Sequence, residues 1–76
     1  MSVTFLPLGH LRYYVNGASR LILEEKEGKS LEVVCRKIGI PIGLGTVFVV
    51  NGEQKKRGYL LQPDDEVKLI ALSGGG

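Results

Sequence analysis

A single amphipathic segment limits the folds that are open to this chain. It carries four apolar residues at the spacing i, i+3, i+4 and i+7, which marks one face of an α-helix: Leu31, Val34, Cys35 and Ile38. Ser30 precedes them and is a good N-cap, because its hydroxyl can accept a hydrogen bond from an amide of the first turn. Gly39 and Pro41 predict the end of the helix. No other segment predicts a long helix, so strands have to cover this apolar face.

Five short segments have the composition of β-strands. They are residues 3–8, 20–25, 46–50, 53–56 and 66–72. The third segment is a continuous apolar run and predicts a central strand that is buried on both faces. The fourth is polar and predicts a short edge strand. Pro7 limits the first segment to an edge of the sheet or to the last residues of its strand. Residues 10–15 fit either an extension of the first strand or a helical turn.

Turn residues separate these segments. Asn16-Gly17 and Asn51-Gly52 predict sharp turns, and Pro63 occupies the second position of a turn over residues 62–65. The predicted order is strand, strand, helix, strand, short strand, strand. We expect a mixed sheet of four to five strands with the main helix on one face and with the first and last strands as central neighbours. This is an α+β architecture, the β-grasp, and it forms a single domain over residues 1–72.

The composition excludes several classes of function. The chain has 76 residues, of which 43% are hydrophobic and 24% are charged, and its net charge is +2. These values predict one soluble globular domain. The few aromatic residues are not interleaved with a basic stripe, so nucleic acid is not an expected partner. The longest apolar tract, residues 38–50, is too short to cross a membrane. The start of the chain lacks the features of a signal peptide and the single cysteine cannot form an internal disulfide, so we expect a cytoplasmic protein.

Three glycines, Gly74 to Gly76, directly follow the last predicted strand. Because glycine has no Cβ, such a segment can pass through gaps that exclude other residues. We expect residues 73–76 to form a flexible tail that carries a free α-carboxylate on a thin stalk. The alternative is a frayed terminus or a linker without function, which is common for glycine-rich ends.

Three groups of residues match a known pattern: residues 50–53 (Val-Asn-Gly-Glu), residues 61–67 (Leu-Gln-Pro-Asp-Asp-Glu-Val) and the terminal Gly75-Gly76. They resemble the ubiquitin-like sulfur carriers of the MoaD/ThiS superfamily, which include the small subunit of molybdopterin synthase and the thiamine-pathway sulfur carrier. Phe5 and residues 9–12 resemble the start of the molybdopterin-synthase branch. The chain departs from the family at Gly74, where a larger residue is usual, and at residues 63–65, where Asp-Gly-Asp is usual.

This resemblance implies that the carboxylate of Gly76 is the reactive group, with Gly75 beside it. An adenylyltransferase of the ubiquitin-activating type would use ATP to adenylate this carboxylate, and a sulfur donor protein would then convert it to a thiocarboxylate. The chain would bind no cofactor and would be no enzyme on its own, although it could be the small subunit of a molybdopterin synthase complex.

The front of the chain favours molybdopterin biosynthesis, in which a large synthase subunit would receive the sulfur. One alternative recipient is a thiazole synthase of thiamine biosynthesis, or an enzyme that makes another sulfur-containing product. A second alternative is a ubiquitin-like modifier, in which the activated tail forms an isopeptide bond with a lysine. A third is an interaction module whose glycine tail is inert.

Alternation along the last strand predicts a patch for the partner. If every second residue of this strand faces the helix, then Lys68, Ile70 and Leu72 face outward beside the tail. Together with Ser73 and Gly74 they are the candidate partner-binding residues. The alternative is an outer sheet face that the chain itself partly covers.

Three further features have simpler interpretations. Residues 55–57 (Lys-Lys-Arg) fit either a surface for an acidic partner or a solvated hairpin whose charges protect a sheet edge. Cys35 lies on the apolar helical face, so we expect a buried thiol and not a reactive one. His10 has no spaced cysteine, histidine or carboxylate partners, so we expect no metal site.

Overall fold

Five strands, one α-helix and one 3₁₀-helix lie within residues 1–72, the residues that the computed structural model describes. The predicted tail, residues 73–76, lies outside the described residues. In chain order the elements are β1 (Ser2–Pro7), the 3₁₀-helix (Gly9–Val15), β2 (Leu21–Glu24), α1 (Leu31–Ile38), β3 (Thr46–Val50), β4 (Glu53–Lys55) and β5 (Glu66–Ala71).

The strands form one sheet in the order β2-β1-β5-β3-β4. β1 and β5 are parallel neighbours, and the other neighbouring pairs are antiparallel. The mixed sheet with the helix packed against one face confirms the predicted β-grasp. The first and last strands lie side by side near the centre, as the sequence predicts.

The helix α1 begins and ends at the predicted residues. The Ser30 hydroxyl accepts a hydrogen bond from the Val33 amide at 3.2 Å, which satisfies one of the free amides of the first turn. Gly39 ends the helix with a φ of +89°, a left-handed conformation that side chains with a Cβ rarely adopt. Glu32 lies in the first turn and two cations lie in the last, an arrangement that suits the helix dipole.

The core lies between α1 and the inner face of the sheet. β1, β3 and β5 each direct alternate residues into it, and the register of the strands aligns these residues in rows. The buried apolar side chains are Val3, Phe5, Leu11, Leu31, Val34, Cys35, Ile40, Phe48, Val50, Leu61, Val67 and Leu69. Burying one large side chain of this kind stabilises the fold by about 1.5–3 kcal/mol.

The segment after β1 is a 3₁₀-helix, which resolves the alternatives for residues 10–15. Leu11 anchors this helix in the core, and Asn16 ends it at a φ of +58°, in the left-handed region that asparagine tolerates well. The adjoining turn is therefore at Asn16-Gly17, as predicted.

Pro7 is the last residue of β1, a strand inside the sheet and not at its edge. The amides of Thr4 and Leu8 point toward β5, since they donate to Asp65 O and Leu69 O at 2.9 and 3.0 Å. Alternation therefore turns the nitrogen of Pro7 toward β2. β2 begins at Leu21, opposite Phe5, so the missing N–H removes no hydrogen bond from the sheet.

The prediction that β3 is buried on both faces is wrong. Phe48 and Val50 point into the core and are buried, but Val47 and Val49 on the other face are only half-buried. A strand needs a packed layer on each side to be buried on both. Within residues 1–72 the helix covers only the inner face, so the continuous apolar run of β3 leaves valines on an open outer face.

A buried carboxylate at the start of β5 joins two connecting segments. Asp65 accepts hydrogen bonds from Asn51 Nδ2 at 2.7 Å, from the Tyr59 hydroxyl at 2.8 Å and from the Gln62 amide at 2.8 Å. These contacts connect the β3–β4 turn with the segment before β5. The predicted turn at residues 62–65 is present: the Asp65 amide donates to Gln62 O at 3.2 Å, and Asp64 has a φ of +65°.

We expect Asp65→Ala to lower the free energy of unfolding by about 2–3 kcal/mol, because it removes a buried carboxylate that accepts three hydrogen bonds. Urea denaturation measures this loss. Asp64→Gly is the matched control, because it removes the same charge from the preceding residue. The positive φ of that residue favours glycine, so the change should leave the free energy of unfolding equal or slightly higher. Equal effects of the two changes would show that the loss is due to net charge and not to the hydrogen bonds.

Candidate functional site

The strand that leads into the predicted tail is fixed at the centre of the sheet. β5 pairs with β1 on one side and with β3 on the other. At its end, Ala71 pairs with Thr46, and the Leu72 amide donates a hydrogen bond to Gly45 O at 2.8 Å. The last described residue is thus held against the loop that precedes β3, and the residues that follow start from a fixed point.

The structure places the three described members of the predicted partner patch on or beside the outer sheet face. Lys68 is exposed and Ile70 is half-buried, while their neighbours Val67 and Leu69 are fully buried on the inner face. Leu72 follows the end of β5 and is 68% exposed. The other predicted site residues, Ser73, Gly74, Gly75 and Gly76, lie outside the described residues.

The register of the sheet adds three apolar residues that the sequence prediction missed. Leu6 of β1 and Val49 of β3 flank Lys68, and Val47 lies beside Ile70. We call Leu6, Val47, Val49, Lys68, Ile70 and Leu72 the outer patch. The patch is apolar with one ammonium group at its centre, which suits a partner surface that is apolar and carries a carboxylate. Alternation along β1 and β3 suggests the added residues, but only the pairing register brings them beside β5.

A second surface lies next to the same strand end. An open groove of about 440 Å³ runs between the 3₁₀-helix and the loop before β3. Ala71, Tyr14 and Pro41 are among its lining residues. Leu44 also lines the groove and is fully exposed. The sequence presents residues 42–45 only as a glycine-rich link, because nothing in the sequence shows that they meet the 3₁₀-helix in space.

The basic run at residues 55–57 is partly engaged within the protein. Lys55 pairs with Glu53 at 3.4 Å and lies 5.5 Å from the ring centroid of Tyr59. Arg57 lies 3.6 Å from Glu32 and donates to Gly43 O at 3.4 Å. These contacts favour a solvated, edge-protecting hairpin over a surface for an acidic partner. Such exposed ion pairs each contribute less than about 1 kcal/mol.

Cys35 is buried in the core, as predicted, and burial raises the pKa of its thiol to about 12. A reactive cysteine requires a thiolate, which desolvation disfavours here. His10 is exposed. Among residues 1–72 no group of three or more His, Cys, Asp or Glu side chains could hold a metal ion.

Comparison with solved structures shows a similar fold in another protein. The crystal structure of SAMP1 from Haloferax volcanii matches over 100% of both chains, with a TM-score of 0.77 and 14% sequence identity. The chain thus has the β-grasp fold of ubiquitin-like proteins. Comparison with protein-family models and with curated proteins finds no match. No helix within residues 1–72 is long and apolar enough to cross a membrane.

We expect the Cys35 thiol to be protected from alkylation in the folded protein. With a pKa of about 12, the thiolate at pH 8 is scarcer than in an unfolded chain by roughly three orders of magnitude. Labelling with iodoacetamide, followed by intact mass, should therefore be slow in buffer and fast in denaturant. A variant that combines Cys35→Ala with Leu44→Cys moves the thiol to a fully exposed position and should label rapidly in both. Fast labelling of the unchanged protein in buffer would contradict the buried position.

Proposed function

We propose that the protein is a sulfur carrier whose Gly76 carboxylate is adenylated by an enzyme of the ubiquitin-activating type and then converted to a thiocarboxylate. The observation that carries the proposal is the fixed end of β5. The central position of β5 and the Leu72–Gly45 hydrogen bond fix the last described residue, which directly precedes Ser73 and the glycines in the sequence. The β-grasp fold and the sequence resemblance at residues 50–53, 61–67 and 75–76 support the same function.

The chemistry explains why a partner enzyme is needed. An α-carboxyl group has a pKa of about 3.3–3.7, so it is ionised at neutral pH and is a poor acyl electrophile. Attack of the carboxylate on the α-phosphate of ATP releases pyrophosphate and gives an acyl adenylate. A persulfide sulfur of the donor protein then displaces AMP and forms an acyl disulfide. A second thiol cleaves its S–S bond, which releases the thiocarboxylate and leaves a disulfide with the donor cysteine. The described residues show no group that would perform any of these steps on the tail, so within this proposal the domain holds and presents the substrate.

Glycine suits the end of the chain for a physical reason. A carboxylate that reacts inside another protein has to enter a closed pocket, and pockets of this kind enclose most of the ligand surface. Residues without a Cβ present the narrowest chain. Gly75 and Gly76 are therefore the residues that enter the partner, and Gly74 adds length.

We further propose that the outer patch is the docking surface for the activating enzyme. It lies on the strand that carries the tail, and its half-buried aliphatic residues surround the exposed ammonium group of Lys68. Burial of a patch of this kind on binding is favourable by about 25 cal/mol per Å² of apolar area. Ile70 lies between Lys68 and Leu72 along the chain and beside Val47, so we expect it to be the most sensitive aliphatic residue of the patch.

Within the sulfur carriers we propose molybdopterin biosynthesis as the recipient pathway. The 3₁₀-helix Gly9–Val15 lies between β1 and β2, in the segment whose start resembles the molybdopterin-synthase branch. Reconstitution separates the pathways: the loaded protein should transfer sulfur with a large molybdopterin synthase subunit, and not with a thiazole synthase. Transfer with the thiazole synthase alone would assign the chain to the thiamine pathway.

Deletion of Gly75 and Gly76 should abolish loading and leave the thermal melt almost unchanged, because the deleted residues follow the last contact of β5 within the described residues, between Leu72 and Gly45. The measurement is intact mass after incubation with a ubiquitin-activating-type enzyme, ATP and a sulfur source. In the full-length chain one tail oxygen should be exchanged for sulfur. A ladder of protein conjugates would instead support the modifier function, and unmodified full-length protein under these conditions would contradict both functions. A large drop in melting temperature on deletion would show that the tail is structural.

Ile70→Arg should slow adenylation by about tenfold or more, since it places a second cation in an apolar docking patch. The stability should change little, because the long side chain can extend into solvent. Val33→Arg is the matched control, as Val33 is an exposed aliphatic residue on α1, away from the outer face. Pyrophosphate release in the presence of the activating enzyme measures the rate. Equal adenylation rates for both variants would contradict the proposal that the outer patch is the docking surface.

A further inference from the structure

The outer edge of β2 combines free backbone groups with a charge pattern that is complementary to itself. β2 is an edge strand of the sheet. It pairs with β1 on one side, and within residues 1–72 no strand pairs with it on the other. Its side chains alternate: Leu21 and Leu23 lean toward the core, while Ile22 is 59% exposed on the outer face. Glu24 shares that face with Ile22. Arg20 directly precedes β2, where continued alternation assigns it to the same face. Both charged residues are exposed.

The hydrogen bonds of β1 show which backbone groups of β2 point outward. The Glu25 amide donates to Met1 O at 3.1 Å, so this residue is directed toward β1. The Thr4 amide, opposite Ile22, instead donates toward β5, to Asp65 O at 2.9 Å. Because alternate residues of an antiparallel strand face opposite sides, Ile22 and Glu24 direct their N–H and C=O groups to the open edge.

We propose that this edge pairs with the β2 edge of a second copy of the chain, in antiparallel orientation, around a two-fold axis at Ile22. In this register the outward N–H of each Ile22 donates to the C=O of Ile22 in the other copy. The same register sets Arg20 of each copy opposite Glu24 of the other, and the N–H of Glu24 donates to the C=O of Arg20. Opposing residues of an antiparallel pair share a face, so the Ile22 side chains meet on the outer face and the leucines meet on the inner one.

The charges of Arg20 and Glu24 favour the antiparallel pairing of two copies over a parallel one. The cation and the carboxylate lie at opposite ends of the strand, so an antiparallel copy joins unlike charges in two symmetric pairs. A parallel copy would set like charges side by side, which is destabilising. The Glu24 carboxylate lies 3.9 Å from the Met1 amino group. This contact is weak because both groups are well exposed, and it leaves the carboxylate free to reach the Arg20 of the other copy.

The dimer would leave the proposed reactive ends accessible. A two-fold axis perpendicular to the sheet joins two five-stranded sheets into one and reverses the direction of β5 in the second copy. The two β5 strands are then five strand spacings apart, about 24 Å. Their carboxyl-terminal ends point in opposite directions, so each copy can present its tail and its outer patch to a separate partner.

Sedimentation of the unloaded full chain over a concentration series tests the pairing. We expect a weak dimer with a Kd on the order of 0.1–1 mM, because one strand pair buries less area than the interfaces of stable dimers. Added salt should weaken it by screening the exposed charges. In NMR spectra the amides of Ile22 and Glu24 should shift with concentration more than that of Leu23. A chain that stays monomeric up to about 2 mM overturns the proposal.

Charge-reversal variants test the register. Arg20→Glu gives each copy two carboxylates at the edge, and Glu24→Arg gives two cations, so each variant alone should dimerise about tenfold more weakly. An equal mixture of the two variants should form a heterodimer at least as readily as the unchanged chain, since both cross-strand pairs then join unlike charges. Failure of the mixture to recover association contradicts the antiparallel register.

Ile22→Lys tests whether association depends on the β2 edge or on the surface charge in general. It places two ammonium groups on the two-fold axis and should abolish the dimer, while the residue is exposed enough for the fold to persist. Leu60→Lys is the matched control at a residue of similar exposure, 54%, and should leave association unchanged. Loss of association in both variants contradicts the edge as the contact. These measurements need no activating enzyme, so their outcome is independent of the proposed sulfur chemistry.

Discussion

The parallel pairing of β1 with β5 is the contact on which the rest of this structure depends. It joins the two ends of the domain, and hydrogen bonds extend it past both strand ends: Asp64 donates to Ser2 O, and Leu8 donates to Leu69 O. All other pairs of the sheet are built outward from these two strands. The pairing also requires contacts between residues that are more than sixty positions apart, and non-local contacts of this kind slow folding. The strand that carries the proposed reactive end is therefore fixed only when the whole domain has folded.

The two ends of β5 are held in different ways. At its start, the buried Asp65 carboxylate accepts hydrogen bonds from three donors in two connecting segments, and this network fixes the strand. At its end, a single backbone bond from Leu72 to Gly45 is the last one within the described residues. For the proposed function, the firm anchor at the start of β5 limits the positions of the strand end that is presented to a partner.

The parts of the fold that are encoded locally could be predicted from the sequence. The N-cap at Ser30, the stop at Gly39 and the turn at Asn51-Gly52 depend on residues within a few positions, so their types were sufficient. The outer patch could be predicted only in part. Lys68 and Ile70 follow from alternation along one strand, but the contacts of Leu6, Val47 and Val49 with them depend on the register between strands. The same limitation explains the error at β3: its apolar run predicts burial on two faces, whereas the number of layers is a property of the whole domain.

The two edges of the sheet differ in what they offer to another strand. In β4, Glu53 and Lys55 direct their N–H and C=O groups toward β3, where they pair with Val50 and Phe48. Only Gln54 directs its backbone groups to the open side. Its neighbours Glu53 and Lys55 pair with each other, and the run at residues 56 and 57 adds two more cations; these charges protect the edge. β2 has an aliphatic residue at the corresponding position, with one charge of each sign beside it. The β4 edge thus has a polar residue at its centre and an excess of cations, whereas β2 has an aliphatic residue between balanced charges, a pattern that repels only a parallel copy. The charges at β2 therefore determine the orientation of a second copy and do not prevent its approach.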